Sequence, residues 1–372
     1  MTRTGMQGKG PLAGLRIVEF EGLGPTPFAA MLLADMGAEV VRIARPGGRP
    51  LLPQRPDFLE RGRGRLPLDL KSAAGQETAL RLLAHVDALI EGHRPGVMER
   101  LGLGPDDVFA VNPRLVYGRM TGWGQSGPRA RTAGHDINYI ALTGLLHAIG
   151  PKSRPLPPLN LLGDFGGGAL YLVAGMLAAL LAARRTGRGQ VVDAAIVDGA
   201  SHLGTMIFSL LESGLWADTR EANLLDGGAP FYTTYPCADD RFVAVGALEE
   251  KFYLALLDGL GLSPAELPDR ADPANWRLLR NRFATVFRTR TRDEWARHFA
   301  GTDACVTPVL SLSEAPHDAH MAARGVFIDV AGTPQPGPAP RLSATPGEAR
   351  PEPPEPLDAA SLLERWRREE SG

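Results

Sequence analysis

Cysteine is nearly missing from this chain. Cys237 and Cys305 are the only two, and they form no C-x-x-C pair, which excludes a disulfide framework and a zinc ribbon. Both are expected to be small core residues. Charge of one sign is missing as well: the net charge is −2, so the molecule has no overall field to draw in nucleic acid. An anionic ligand would have to be met by a local cluster of Lys and Arg. Arg3 and Lys9 are followed by no apolar leader, which removes a secretory signal and leaves the cytoplasm as the expected location. The uncharged run Ala169 to Ala183 is shorter than a bilayer span and is expected as a buried helix, so no membrane partner is expected. Neither G-x-S-x-G nor H-E-x-x-H occurs, so serine hydrolase and zincin chemistry lose their support. His317 and His320 lack a third ligand nearby in sequence and are expected on the surface, and no metal is expected.

What is present suits an ordinary globular protein. With 44% apolar and 22% charged residues over 372 positions, the chain can bury two cores. Leu15 to Phe20, Pro27 to Met36 and Glu39 to Ile43 read as strand, helix, strand. A helix at Gly75 to Val86 and strands at Ala88 to Glu91 and Leu115 to Arg119 continue the pattern, which predicts an open, mainly parallel α/β sheet. The turn Gly22-Leu23-Gly24-Pro25-Thr26-Pro27 begins like a dinucleotide fingerprint but places Pro27 at its third glycine. The second strand then ends in Arg42 and Arg45 where a ribose-binding acid would stand, so a phosphate suits better than NAD. Gly214 to Pro230 looks irregular. A strand at Arg241 to Val245 and helices around Phe252 to Leu260 and Trp276 to Phe287 suggest a second, smaller α+β domain. Thr333 to Pro356 reads as a Pro-rich strap, and Leu357 to Arg368 as a short surface helix.

Three groups of residues could carry chemistry. Arg42, Arg45, Arg61, Arg63, Arg65, Lys71, Arg94 and Arg100 are scattered near strand ends, where open α/β sheets bind ligands, and together they suit a guest with several phosphates. Taken singly, each could be a solvated surface charge. Gly134-His135-Asp136-Ile137-Asn138-Tyr139 opens a helical stretch to about Ile149. A lone His is often a structural hydrogen-bonder, but this one stands in more polar company than a core helix needs. Asp164, in Asn160-Leu161-Leu162-Gly163-Asp164-Phe165-Gly166-Gly167-Gly168, could simply cap the apolar helix. The three glycines are costly for capping alone and would let a ligand approach the backbone, with amides there to stabilise an anion.

These segments together resemble the α-methylacyl-CoA racemases, a branch of the class III CoA-transferase superfamily. The similarity runs in order through PLAGLRIVEF, GAEVVRIARPGG, LIEGHRPGVMERLGLGP, RMTGWGQSGPR, GHDINYIALTGLLHAIG, NLLGDFGGG, LLDGGAPFYTTY and FVAVGALEEKFY. GHDINY followed by NLLGDFGGG is its specific part, because the related transferases keep the Asp and usually lack the His. The resemblance implies a Rossmann-like large domain and a smaller α+β domain in a ring-like subunit, interlocked with a twin as an obligate homodimer. The expected division is a large domain over 1–186, a linker over 187–225, a small domain over 226–312, a return linker over 313–332, and a C-terminal part over 333–372 rejoining the large domain.

The resemblance further implies His135 and Asp164 as the acid/base pair, supported by Glu249, Tyr232, Asp136 and Asn160. It implies CoA contacts from Arg45, from Leu68, Asp69, Leu70 and Lys71, from Gly92, His93 and Arg94, from Arg100, and from Gly134, Ile137, Asn138 and Tyr139. The run RGRGR at Arg61 to Arg65 is more basic than the racemase pattern and is closer to the transferases. The chain ends Glu-Ser-Gly with no peroxisomal address, which suits a bacterial cytoplasmic protein. The expected reaction removes the proton α to a 2-methylacyl-CoA thioester on one face and returns one on the other. It passes through a planar enolate, with no cofactor beyond the CoA of the substrate. Backbone amides at the glycine-rich helix start are the expected enolate donors. Two rivals stand beside it: a CoA-transferase in which Asp164 is the nucleophile, and a CoA-thioester binding protein without catalysis.

Overall fold

The computed structural model describes residues 8–48 and 56–371, so Arg3 and the final Gly372 lie outside the described residues. The chain folds into two compact units. One comprises Met1–Thr143, Leu159–Leu203 and Arg324–Gly372, and the other Gly144–Pro158 and Gly204–Ala323.

The first unit is built on β1 (Arg16–Phe20), α1 (Pro25–Asp35), β2 (Glu39–Ala44), β3 (Arg63–Pro67), α2 (Ala73–Leu83), β4 (Ala88–Glu91), α3 (Val97–Arg100), α4 (Pro105–Val111) and β5 (Val116–Thr121). It continues with α5 (Asp136–Leu142). After α6 (Leu145–Ala148), which belongs to the second unit, come a π-helical segment over Leu161–Ala169, α7 (Leu170–Thr186), β6 (Val191–Ala195) and α8 (Ile196–Leu203). The six strands form one parallel sheet in the order β3-β2-β1-β4-β5-β6. A parallel sheet is covered on both faces, so its strands read as continuous apolar runs, and β1 shows why: Ile17 faces one core with α1 and α7, while Val18 and Phe20 face the other with α2. The predicted stretch from Gly134 to Ile149 is broken at Gly144, whose φ of 81° ends α5 and starts α6.

Several sequence expectations change here. β3 was hidden because RGRLP has no apolar alternation. Residues 187–225, expected as a linker, begin with β6, which completes the sheet, and α8, which packs on the π-helical segment. The C-terminal helix, α14 (Ala359–Glu370), is no surface element: Leu362, Leu363 and Trp366 are buried in the α2-side core. Truncating a buried Trp to Ala typically costs about 3–5 kcal/mol. The continuous helical stretch Leu161–Thr186 is long and apolar enough to cross a membrane by length and composition. Its residues Leu172, Val173, Met176, Ala179, Leu180 and Ala183 are buried in the α1-side core.

The second unit contains α6, α9 (Thr205–Glu212), β7 (Tyr232–Pro236), β8 (Phe242–Gly246), α10 (Glu250–Leu260), α11 (Trp276–Phe287), α12 (Arg292–His298), β9 (Val306–Pro308) and α13 (Ala319–Ala323). The three strands form an antiparallel sheet in the order β7-β8-β9. Tyr235, Leu256, Phe283, Phe287 and Trp295 lie in its core. No helix or strand falls between Gly214 and Pro230, as the composition predicted, and α11 coincides with the helix read from Trp276 to Phe287. Cys237 is buried, but Cys305 is exposed and does not belong to the core. The return to the first unit carries β10 (Phe327–Val330), paired antiparallel with β11 (Thr333–Pro336).

Candidate active site

The strand order reverses between β1 and β4, and in such sheets ligands bind beyond the carboxyl ends of the strands near that point. Eight of the expected CoA contacts stand on loops there, beside two glycines that were not expected. Gly22 and Gly24 follow β1, Arg45 follows β2, Leu68 to Lys71 follow β3, and Gly92, His93 and Arg94 follow β4. Cβ atoms added at Gly22 and Gly92 would lie 2.9 and 2.6 Å from the buried Thr26 hydroxyl, so these loops are drawn tightly around the start of α1.

Asp164 sits in the π-helical segment, where Asp136 from the first turn of α5 takes one of the backbone donors. Asp136 Oδ1 accepts the Asp164 backbone N–H at 2.6 Å. Gly163 is buried against the Asp136 carboxylate and Ile140, with no room for a Cβ. Stacking of Phe28 on Phe165, with centroids 4.4 Å apart, fixes the next residue against α1. Asn160 Nδ2 donates to Asp164 Oδ2 at 3.4 Å. Burial, and next the negative charge of Asp136, push the Asp164 carboxyl up to about 6, while Asn160 and the field of His135 oppose the rise. A carboxyl so placed exchanges protons near neutral pH.

His135 is exposed and its backbone is fixed on every side. Its N–H donates to Asn138 Oδ1 at 3.0 Å, and its C=O accepts from the amides of Asn138 and Tyr139 at 2.8 and 3.2 Å. The Tyr139 hydroxyl donates to the C=O of Gly134, and its ring packs edge-on to Trp123 at 4.8 Å. A side chain at Gly122 would collide with that ring. The structure thus brings His135, Asp136, Asn160, Asp164, Tyr139 and Gly134 together.

Sequence reasoning missed Gly24. Its φ is 62°, and an added Cβ would stand 2.9 Å from Asp164 Oδ2, so the loop after β1 walls one side of the carboxyl. The signal is Gly22-Leu23-Gly24-Pro25, a glycine of positive φ set just before the proline that starts α1.

Seven of the eight scattered basic residues divide into two kinds, and the eighth, Arg65, is half-buried on β3. Arg42 pairs with Glu60, Arg63 with the fully buried Glu19, and Arg61 with Asp35 at 2.5 Å, so these three are framework charges and not phosphate ligands. Arg45, Lys71, Arg94 and Arg100 are exposed and form no salt bridge among the described residues. His93 is largely desolvated, which lowers its pKa and favours a neutral ring. Ile137, Asn138 and Asp69 are exposed, and Leu68 and Leu70 pack partly into the α2-side core.

The glycine run has another use than the one expected. Gly167 lies against the backbone of Ala200, and Gly199 against the backbone of Gly167, so small residues let α8 approach the π-helical segment closely. Helical turns begin at Leu161, so the amides of Gly166 to Gly168 lie inside them and not at a free start. The expected anion donors are therefore not these.

In the second unit, Tyr232 opens β7 opposite Gly246 of β8, and the half-exposed ring shares that end of the sheet with Glu249. Glu249 caps α10, its C=O accepting from the amides of Phe252 and Tyr253 at 3.1 and 2.9 Å, and its side chain is exposed. Among the described residues no cluster of His, Cys, Asp and Glu could hold a metal, and His317 and His320 are exposed.

The family described as CoA-transferase family III matches residues 12–357. The chain belongs to that family. It is 50% identical over 337 residues to the α-methylacyl-CoA racemase of Mus musculus, covering 90% of this chain and 87% of that protein. The racemase of Homo sapiens is 48% identical over the same shares of the two chains. The succinyl-CoA–L-malate CoA-transferase alpha subunit of Chloroflexus aurantiacus is 32% identical, over 91% of this chain and 84% of its own. The fold is shared with a CaiB/BaiF family protein from Brucella suis, with a TM-score of 0.80 at 24% identity covering 96% of this chain and all of that one.

Proposed function

We propose that the protein inverts the α-carbon of 2-methylacyl-CoA thioesters. The observation that carries the reading is the pairing of His135 with an Asp164 whose carboxyl is pushed up to about 6. One base takes the α-proton, leaving an enolate, and the other, protonated, returns a proton to the opposite face; the reverse reaction exchanges their roles. Atoms balance with no oxidant and no acceptor acid, and no cofactor beyond the substrate's CoA enters the scheme. The backbone amides of Asp136 and Ile137, which have no partner within the chain among the described residues, replace the glycine-run amides as donors to the enolate oxygen.

The CoA moiety lies along Arg45, Leu68 to Lys71, Gly92 to Arg94, Arg100 and the Gly134 to Tyr139 segment. Glu249 and Tyr232 complete the site in an interlocked homodimer. The protein works in the cytoplasm, away from membrane and nucleic acid. Identity to two racemases near 50%, against 32% to the transferase subunit, favours proton transfer over acyl transfer. The test is incubation of each pure epimer of a 2-methylacyl-CoA in heavy water. Deuterium at the α-carbon and approach to a near-equal mixture are expected without added acid. Exchange that requires a free carboxylic acid, or transfer of CoA to that acid, replaces this reading with the transferase.

A further inference from the structure

β4 and β5 lie side by side with Glu91 opposite Arg119, and both side chains are buried. Arg119 Nε donates to Glu91 Oε1 at 2.9 Å, and the other carboxylate oxygen of Glu91 accepts the backbone N–H of His93 at 2.7 Å. The far end of the same guanidinium donates to Glu99 Oε1, on α3, at 2.8 Å. One planar cation therefore spans the two ends of a short segment, Gly92 to Met98, that leaves the sheet and returns as α3. Met98 is fully buried beneath it, and the Tyr117 hydroxyl, one pleat earlier on β5, holds the C=O of Leu103 at 2.8 Å. On this frame the segment presents Arg94 and Arg100 outward, both exposed and free of ion pairs among the described residues.

A buried ion pair is weak support for stability, because desolvation of both charges offsets their attraction. A guanidinium that fixes two carboxylates in one plane does something a hydrophobic pair would not: it sets the direction in which the segment leaves the sheet. We propose that Arg119 is a positioning residue for CoA recognition, bridging Glu91 to Glu99 so that the Gly92–Arg100 segment is preformed for the phosphates of CoA. This rests on the reading that the segment contacts CoA. Preforming a loop raises affinity by removing the cost of ordering it on binding.

The test compares Arg119→Met, Glu99→Gln and the paired change Glu91→Gln with Arg119→Met, which leaves no buried charge alone if the single Met variant fails to fold. Three quantities are read: amide hydrogen exchange over residues 92–103, affinity for free CoA, and KM against kcat in racemisation. Faster exchange in the segment is expected, with KM and the CoA dissociation constant raised roughly tenfold for Arg119→Met or the paired change and about threefold for Glu99→Gln. The value of kcat should stay within about twofold, the pattern of lost uniform binding. Arg94→Ala and Arg100→Ala serve as references. If these raise KM while the Arg119 and Glu99 variants do not, or if the latter lower kcat at unchanged KM, the positioning role is overturned alone. If none of the variants alters KM or CoA affinity, the segment is not a CoA contact and both readings of it fall, whether or not racemisation persists.

Discussion

The carboxylate of Asp136 accepts the backbone N–H of Asp164 at 2.6 Å, so the residue after His135 holds the other proposed base in place. It does so at an electrostatic cost. Its own carboxyl is buried and its second oxygen has no partner, and its negative charge is one of the two causes that raise Asp164. Position and proton affinity at Asp164 are thus set by one neighbour.

Asp136→Asn keeps the oxygen that accepts this N–H and removes the charge. The proton affinity of Asp164 should fall, though not to the ordinary carboxylate value, because burial is the larger cause. For the epimer whose α-proton Asp164 removes, kcat/KM of the unaltered protein should fall as pH drops through about 6. The variant's acid limb should move to lower pH. A limb that stays or moves upward would show that like-charge repulsion does not tune this carboxyl.

Gly24→Ala tests the wall beside Asp164. The new methyl would stand 2.9 Å from Asp164 Oδ2 on a backbone at φ 62°. Strain of about 1–3 kcal/mol is expected in stability, and displacement of the carboxyl by a fraction of an ångström to 1 Å should lower kcat by roughly 10²-fold. Thermal unfolding and steady-state kinetics separate the two effects. Unaltered kcat in a folded variant would show that the loop after β1 has no hold on the base.

Asp164 also leaves a mark on stability. Its folded pKa, about 6, lies above the model-compound value of 3.8, so the native state binds more protons than the unfolded chain between those values. Stability contributed by this group is therefore greatest below that window and falls as pH rises through it. Asp164→Asn removes the cost of the buried charge while keeping an oxygen for Asn160. Allowing for partial solvent screening, the variant should be more stable by roughly 1 kcal/mol at neutral pH and show no gain at about pH 4. Denaturant titrations at the two pH values check this.

The cores were legible where apolar spacing carries the fold: β1, β4 and α11 emerge with nearly their observed bounds. β3 was not, because its Arg63 is neutralised by Glu19, a partner 44 positions away that no local pattern reveals. Trp366 was hidden in the same way, since the charges around it conceal the face that packs on α2. His135 and Asp164 could be named from GHDINY and NLLGDFGGG, yet not what surrounds them. That Gly24 walls the carboxyl and that Arg119 joins Glu91 to Glu99 are tertiary facts. The glycines after Asp164 misled for a related reason: a glycine that admits a ligand and one that admits a helix look alike in sequence, and Gly167 admits α8.

The two bases taken singly separate mechanism from similarity. Asp164→Asn keeps the size of the side chain and removes its basicity, and His135→Ala removes the other base outright. If each serves one face of the enolate, either variant should lose inversion by about 10² to 10⁴. Each should nevertheless retain slow solvent exchange of the one epimer whose α-proton faces the surviving base, and the two variants should prefer opposite epimers. A nucleophilic Asp164 predicts another pattern: the Asn variant loses acyl transfer, and in the unaltered protein incubated with substrate borohydride reduces the activated Asp164 ester or anhydride, releasing its leaving group and converting the residue to homoserine. Deuterium incorporation into each separated epimer, measured in both variants, decides between them. Equal residual exchange of both epimers in both variants would sink the two-base assignment, because a proton lost and regained without regard to face needs no opposed partners.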